Sequence, residues 1–327
     1  MWTFIISPWT RAASLFVSAV IVAPTGRYDG VGHKDPNGHN AILSVTASLA
    51  MIGGMSEQRA PSLFRGVRGR FNERALRERR NEVNRRAVII SNPGETGDEE
   101  WLGGVLKDVE HYRAFLLSSI GGLWRRSEVV EMSRPSAAAV RQEVKTLPTY
   151  DYVLVIFTGH GWYSTDLEST VLTLRRGQEI DSAELRLATA SQTLILDCCR
   201  RKHPGMPEVR SLIADMAKAA PAIHPDDCRK YYNRRIRECG SELVVMHACE
   251  AGEAAGDDSQ KGGVYSYNLL RSSKAWAGTS PVDTSENYAI LSVVQAHGAT
   301  VPLVRQSQTP HIEKPRTGPY YPFCVVA

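Results

Sequence analysis

The sequence predicts an α/β domain built on a mostly parallel central sheet with helices on both faces. Two short apolar runs, residues 153–157 and 193–196, have the composition of strands that are buried on both sides. Along the rest of the domain, strand-like runs alternate with stretches that show the 3.6-residue period of helices. Because parallel strands need a crossover between them, this alternation indicates helices that pack against the sheet.

Each predicted element has its own signal. Apolar runs predict strands at residues 87–91, 152–158, 193–197 and 243–247. Helical periodicity and capping residues predict helices at residues 108–117, 136–147 and 182–189, and a further helix that starts at residue 264. The expected N-caps are Ser133 or Ser136 for the second helix and Asp181 or Ser182 for the third.

Two reactive side chains follow two of the predicted strands. His160 lies in Thr158-Gly159-His160-Gly161, and Cys199 follows Asp197-Cys198. Because functional groups of open α/β sheets collect at the carboxyl ends of the strands, we expect the two side chains to share one crevice. A thiol near an imidazole is the arrangement of a cysteine nucleophile and its base. The pattern therefore indicates a cysteine hydrolase.

Each of these residues also has a structural interpretation. His160 could be a core histidine, and an isolated cysteine is more often a small buried apolar residue than a nucleophile. Cys198 is the rival for the nucleophile. Since successive side chains of an extended segment point to opposite sides, we expect Cys198 to pack inward and Cys199 to face the crevice.

The motifs resemble those of the caspase and metacaspase clan. Residues 158–161 resemble the Ser-Gly-His-Gly at the end of a metacaspase core strand. Residues 197–200 resemble the metacaspase Asp-Ser-Cys-His and the caspase Ala-Cys-Arg-Gly. Three further stretches agree in order: residues 87–108, 243–253 and 262–270. The chain thus resembles caspase-like peptidases over residues 87–327, most of all metacaspase or orthocaspase-type proteins, which implies a three-layer α/β sandwich.

The resemblance implies a role for each motif residue. Cys199 is the nucleophile and His160 the base, with the backbone N–H groups of Gly161 and Cys199 as the oxyanion hole. Asp108 and Asp197 match two carboxylates of the metacaspase substrate pocket, which favours Arg or Lys before the cleaved bond. Two alternatives stay open. Caspases carry Gln at the position of Asp197 and prefer Asp, and Asp108 has a second possible role as a helix cap.

The sequence also departs from the metacaspase pattern. Arg200 replaces the His after the nucleophile, and Val105 replaces a pocket Cys. The acidic cluster that binds activating calcium in many metacaspases is thin, since residues 180–185 keep only Asp181 of the expected aspartate pair. We expect no metal cofactor, with calcium activation as an open alternative. A zinc cluster of cysteines with His203 is disfavoured, because the spacing matches no compact ligand pattern.

The domain organisation follows from composition and from the resemblance. Residues 1–86 are expected to be a partly disordered leader that ends in a basic stretch, with ten arginines against four glutamates between Glu57 and Arg86. Residues 87–327 form the peptidase domain. Its large-subunit part is residues 87–199, its linker residues 200–241 and its small-subunit part residues 242–327. Basic pairs in the polar linker, such as Arg229-Lys230, predict self-cleavage there or before Ala87.

Composition sets the expected setting and partners. The net charge of +4 is mild, and all six cysteines follow residue 197, which favours a reduced, cytoplasmic protein over a disulfide framework. The apolar stretch Ala12 to Ala23 is too short for a membrane span and suits a signal-peptide core. We expect protein or peptide substrates with basic residues, and no nucleic-acid or membrane partner. The oligomeric state is not predicted.

Two functions of other classes stay open. One is a catalytically silent caspase-like scaffold or regulatory effector, against which an intact His160 and Cys199 count. The other is a nucleic-acid-associated effector that uses the arginine-rich leader. No recognised nucleic-acid motif accompanies that leader.

Overall fold

The computed structural model describes residues 82–188, 191–201, 224–279, 282 and 287–327. The central strands in chain order are β1 (Arg85–Asn92), β2 (Val129–Ser133) and β3 (Tyr152–Gly159). After β3 come β4 (Gly161–Ser164), β5 (Ser169–Arg175), β6 (Gln178–Asp181) and β7 (Ser191–Asp197). The remaining strands are β8 (Leu243–His247), β9 (Asp257–Asp258), β10 (Gly262–Gly263), β11 (Ala289–Ser292), β12 (His311–Glu313) and β13 (Pro322–Val326).

The described residues include five α-helices: α1 (Gly103–Leu117), α2 (Ala137–Thr146), α3 (Pro225–Glu238), α4 (Val264–Thr279) and α5 (Val293–Val304). The main sheet has six strands in the order β12-β8-β7-β3-β1-β2. All neighbours pair in parallel except β12, which runs antiparallel to β8. The predicted, mostly parallel sheet is confirmed.

Alternate residues of the central strands enter two apolar clusters, one on each face of the sheet. On one face, Ile89 and Ile156 pack with residues of α1, α3, α4 and α5. On the other face, Val88 and Val155 pack with residues of α2 and of the small β4-β5-β6 sheet. This two-sided burial explains why the strand sequences are continuous apolar runs.

Most element predictions are confirmed, with shifted ends. The segment 243–247 is β8 as predicted, and Ser136 caps α2 by accepting a hydrogen bond from the backbone N–H of Ala139. Asp181 caps a single 3₁₀ turn, Ser182–Leu185, which is shorter than the predicted helix over 182–189. The predictions missed β2, the β4-β5-β6 sheet, β11 and α5.

Two predictions about basic segments need correction. Residues 225–238, taken as part of a polar linker, form α3, and this helix buries Cys228, Tyr232 and Ile236 against the core. Arg85, counted in the solvated basic stretch, lies in β1 and is 1% exposed. Its guanidinium donates to the backbone oxygen of Gly122 and stacks over the ring of Trp124. Residues 1–81 of the predicted leader and residues 202–223 of the predicted linker lie outside the described residues.

The apolar stretch Ala12 to Ala23 also lies outside the described residues. Within the part of the chain that the structure describes, none of the helices has the length and apolar character needed to cross a membrane.

Candidate active site

The predicted dyad residues leave two adjacent strands at the same edge of the sheet. Thr158 of β3 and Asp197 of β7 are register partners at the last paired position of the two strands. His160 and Cys199 each follow that pair by two residues. Gly159, the last residue of β3, has a φ of 145°, and a β-carbon there would lie 2.3 Å from the backbone oxygen of Asn92. The chain therefore turns towards His160 through a glycine that no other residue replaces without strain.

The two neighbouring cysteines lie on opposite sides of the chain. Cys199 is 7% exposed, belongs to the cluster on the α1 and α4 face, and its Sγ donates to the backbone oxygen of Ala255 at 3.6 Å. Cys198 belongs to the cluster on the opposite face. Burial raises the pKa of the Cys198 thiol well above its usual value. The two side chains enter clusters on opposite faces, as the two-residue period of an extended segment predicts, and burial favours the neutral thiol of Cys198. The choice of Cys199 as the nucleophile stays a prediction.

Gly161 lies against the rival cysteine. A β-carbon at Gly161 would be 2.8 Å from the Sγ of Cys198, so the start of β4 and the cysteine loop are in direct contact. The hairpin that follows His160 is thereby packed onto the segment that carries Cys199. The oxyanion role of the Gly161 and Cys199 N–H groups stays a prediction.

His160 is half-buried beneath the loop that follows β1. A β-carbon at Gly94 would lie 3.1 Å from the Nε2 of His160, and the loop is closed by a 2.8 Å hydrogen bond from the Leu102 N–H to the Pro93 oxygen. Burial lowers the pKa of His160, while the Glu100 charge and the backbone of Pro93 and Glu100 act in the opposite direction. The net direction favours a neutral imidazole, which is the form that accepts a proton.

Asp108 and Asp197, the two predicted pocket carboxylates, are brought together. Asp108 accepts hydrogen bonds from the Thr158 hydroxyl at 2.6 Å and from the Gly263 N–H at 3.0 Å. Asp197 accepts from the Ser266 N–H, in the first turn of α4, at 2.9 Å. Both side chains are buried, at 1% and 4% exposed. The proposed capping role of Asp108 is wrong, because α1 begins at Gly103 and Asp108 lies inside it.

Burial changes the protonation of this pair. Desolvation, reinforced by the charge of Asp197, raises the pKa of Asp108 well above its usual value. Desolvation also raises the pKa of Asp197, to about 6, although hydrogen bonds from Ser266 oppose the shift. The raised pKa values mean that the pair retains a proton towards neutral pH, and an approaching cation favours its loss.

Both cysteines, Cys198 and Cys199, and both carboxylates line one pocket of about 230 Å³, including the space that opens to solvent. His160 is not among the residues that line this pocket, so the expected sharing of one crevice by His160 and Cys199 stays a prediction. Residues from β3, α1 and the 255–263 segment complete the wall, among them Val105, Thr158 and Asp257. Asp257 accepts from the Gly104 N–H at 3.2 Å at the start of α1, and its charge raises the pKa of both Asp108 and Asp197. Sequence reasoning missed Asp257, because only the fold brings residue 257 beside residue 108.

Asp181, which the resemblance placed in a calcium cluster, has a structural role. Its Oδ1 accepts from the Ala183 N–H at 2.8 Å and from the Ser169 hydroxyl at 2.5 Å. Among the residues that the structure describes, no group of three or more His, Cys, Asp or Glu side chains is placed to hold a metal ion.

Of the comparisons with known proteins, the family model identifies the family of the chain. No curated protein sequence matches the chain. Among solved structures, caspase-1 from Spodoptera frugiperda is similar at 9% identity and a TM-score of 0.45, over 70% of this chain and 87% of that one. The family model described as the caspase domain matches residues 84–321. Since that match spans well over half of the sequence, the chain belongs to the caspase-domain family of cysteine peptidases.

Proposed function

We propose that the protein is a cysteine endopeptidase that uses Cys199 and His160 to cleave peptide bonds after Arg or Lys. The observation that carries the basic specificity is the buried pair Asp108 and Asp197 in the pocket that Cys199 also lines. Membership of the caspase-domain family supports peptidase chemistry in general. The site residues and the specificity are our inference from the local contacts.

In the proposed mechanism, His160 accepts the Cys199 proton as the sulfur attacks the scissile carbonyl. The carbonyl carbon gains the bond to Sγ, and the resulting oxyanion is met by the N–H groups of Gly161 and Cys199. Protonated His160 then gives its proton to the leaving amine, which leaves an acyl-enzyme. A water molecule, deprotonated by His160, attacks the thioester and releases the acid and the free thiol. The lowered pKa of His160 suits the role of proton acceptor in the first step.

The charge in the pocket argues for a basic side chain before the cleaved bond. An aspartate side chain would have to enter beside Asp108, Asp197 and Asp257. The repulsion between like charges at close range costs about 1–4 kcal/mol in partly solvated sites. A guanidinium instead replaces the proton that the buried pair retains and can donate to both carboxylates. We expect Arg to be preferred over Lys, because its planar fork reaches two acceptors at once.

Self-processing is the second part of the proposal, and the fold limits where it can occur. Proteolysis concentrates in exposed, loosely held segments, so a scissile bond inside a helix that packs on the core is disfavoured. Arg229 and Arg234 lie in α3, and Arg229 is held by Glu128 through hydrogen bonds of 2.6 and 3.0 Å. We therefore propose that self-cleavage falls at basic residues before Glu82 or between Arg201 and His224.

A peptide library tests the proposed function directly. Wild-type protein, Cys199→Ala and His160→Ala are incubated with a library varied at the residue before the cleaved bond. We expect cleavage after Arg and Lys by the wild type only. Cleavage after Asp would replace the basic specificity with that of a caspase, and no cleavage by folded wild type would favour the scaffold alternative.

A further inference from the structure

Arg200, the residue directly after the proposed nucleophile, is a buried arginine whose side-chain hydrogen-bond partners among the described residues are neutral. It is 9% exposed. Its Nε donates to the Thr170 hydroxyl at 3.0 Å, and its Nη1 donates to the backbone oxygen of Cys249 at 3.2 Å. Within the described ranges, no carboxylate forms an ion pair with it. Burial of a charged group without a counter-charge is costly, so a guanidinium at this position calls for a reason beyond packing.

On one side, Arg200 connects the cysteine loop to the hairpin that begins immediately after His160. Thr170 is on β5, and the guanidinium carbon of Arg200 lies 5.2 Å from the ring centre of Tyr163 on β4. The backbone adds a further link, since the Tyr163 N–H donates to the Arg201 oxygen at 2.8 Å. The segment that carries Cys199 and the hairpin that follows His160 are therefore joined through residues 200 and 201.

On its other side, Arg200 is held by the turn after β8. The Arg200 N–H donates to the Glu253 oxygen at 2.9 Å, and the Gly252 N–H donates to the Arg200 oxygen at 2.7 Å. The same turn leads to Ala255, whose backbone oxygen accepts from the Cys199 thiol. Arg200 therefore contacts the same turn whose continuation accepts the hydrogen bond from the Cys199 thiol.

We propose that Arg200 is a positioning residue that fixes Cys199 between the β4-β5 hairpin, which follows His160, and the turn after β8. This inference rests on the proposed role of Cys199 as the nucleophile. Arginine suits the task because its planar fork donates in two fixed directions, one towards Thr170 and one towards Cys249. A lysine ammonium carries the same charge on a single nitrogen and cannot hold both partners with the same geometry.

Four variants test this proposal: Arg200→Lys, Arg200→Met, Thr170→Val and, as a control, Arg85→Met. Arg85 is a second buried arginine and is the first residue of β1, at the edge of the sheet opposite to the candidate site. Its replacement therefore reports the effect of losing a buried guanidinium far from the site. Each variant is measured for kcat and KM on an Arg peptide, with the active fraction from titration by an Arg-ending electrophile. The pH dependence of Cys199 alkylation by iodoacetamide is also measured.

We expect Arg200→Lys and Arg200→Met both to lower kcat per active molecule by about 10²-fold with KM changed little, as for a misplaced reacting group. Thr170→Val, which removes one partner, is expected to give a smaller loss, and both Arg200 variants to change the pH profile of alkylation. Arg85→Met is expected to lower thermal stability and leave kcat per active molecule unchanged.

Two results would overturn the proposal. If Arg200→Lys and Thr170→Val retain wild-type kcat and alkylation profile, the positioning role is wrong while the role of Cys199 stands. If the wild type shows neither hydrolysis nor Cys199 alkylation that exceeds that of the other cysteines, the proposed function fails, and the inference fails with it. Should Arg200→Met not fold, Arg200→Lys and Thr170→Val decide the question.

Discussion

Asp108 and Asp197 lie against the same glycine: a β-carbon at Gly263 would be 3.0 Å from the Oδ2 of Asp108 and 2.5 Å from the Oδ2 of Asp197. The two carboxylates come from α1 and from the end of β7, and the start of α4 closes over them. Two separate segments thus bring two carboxyl groups together beside Cys199, and a third segment donates the Ser266 N–H to one of them. This arrangement is the physical basis of the proposed preference for basic substrates.

Asp197→Asn is expected to remove most of that preference. The substitution keeps an acceptor for the Ser266 N–H but deletes a buried charge that faces the substrate cation. We expect kcat/KM for Arg peptides to fall on the order of 10²–10³-fold, as for other losses of one partner of a buried ion pair. Kinetics on matched Arg and Gln peptides measure the change. Alkylation of Cys199 by iodoacetamide is the control and should keep its rate, and an unchanged ratio of Arg to Gln cleavage would contradict the assignment.

Binding of a cation to the pocket is expected to release a proton. Folding raises the pKa of Asp108 and, to about 6, that of Asp197, and a bound guanidinium lowers both again. The affinity for a peptide that ends in arginine amide should therefore rise as the pH rises through about 6. Calorimetry on Cys199→Ala in buffers of different ionisation enthalpy measures the number of protons released on peptide binding. Adding the Asp197→Asn substitution should reduce that number. An affinity independent of pH between 5 and 7 would count against the buried pair.

The acid limb of Cys199 reactivity is expected below the ordinary His pKa. Burial lowers the pKa of His160, so its neutral form persists to lower pH, whereas the Glu100 charge raises that pKa. Glu100→Gln should therefore move the acid limb to still lower pH and reduce the plateau, since it removes a charge that stabilises the imidazolium. The pH profile of iodoacetamide alkylation, which does not use the acidic pocket, measures this. Glu99→Gln is the matched control, and equal profiles for the two variants would exclude the role of Glu100.

Much of the site could be anticipated because strand ends are local signals. The apolar runs of β3 and β7 fix where each strand stops, and parallel pairing then brings residues 158 and 197 into register. The opposite burial of Cys198 and Cys199 follows from the two-residue period of an extended chain. These features depend on neighbours in the sequence, so the residue pattern carries them.

Other features depend on contacts between distant segments and leave no local trace. Asp257 reaches the start of α1 only after the chain has passed through β8, and nothing in its own neighbourhood marks it as a pocket residue. β2 is an edge strand with partly exposed residues, so its apolar signal is weak. The α3 helix was hidden by a low apolar content, with its buried face limited to Cys228, Tyr232, Asn233 and Ile236.

Self-cleavage is expected outside α3. Incubated wild type should yield fragments with new termini after basic residues before Glu82 or between Arg201 and His224, and Cys199→Ala should stay intact. Cutting after Arg229 or Arg234 should be absent, because the helix is packed on the core and Arg229 is bound to Glu128. Mass spectrometry of the termini decides this. A wild type that cleaves peptides yet remains intact would end the self-processing proposal and leave the peptidase assignment in place.

Covalent labelling by two peptidyl acyloxymethyl ketones tests most directly whether Cys199 is the nucleophile of a site that prefers basic residues. The two probes differ only in their last residue, which is Arg in one and Asp in the other. Wild type, Cys198→Ser and Cys199→Ala are labelled side by side, and the modified residue is identified by peptide mass mapping. We expect the Arg probe to modify Cys199 in the wild type and in Cys198→Ser, Cys199→Ala to stay unlabelled, and the Asp probe to react far more slowly. Labelling at Cys198, or faster labelling by the Asp probe, would contradict this assignment.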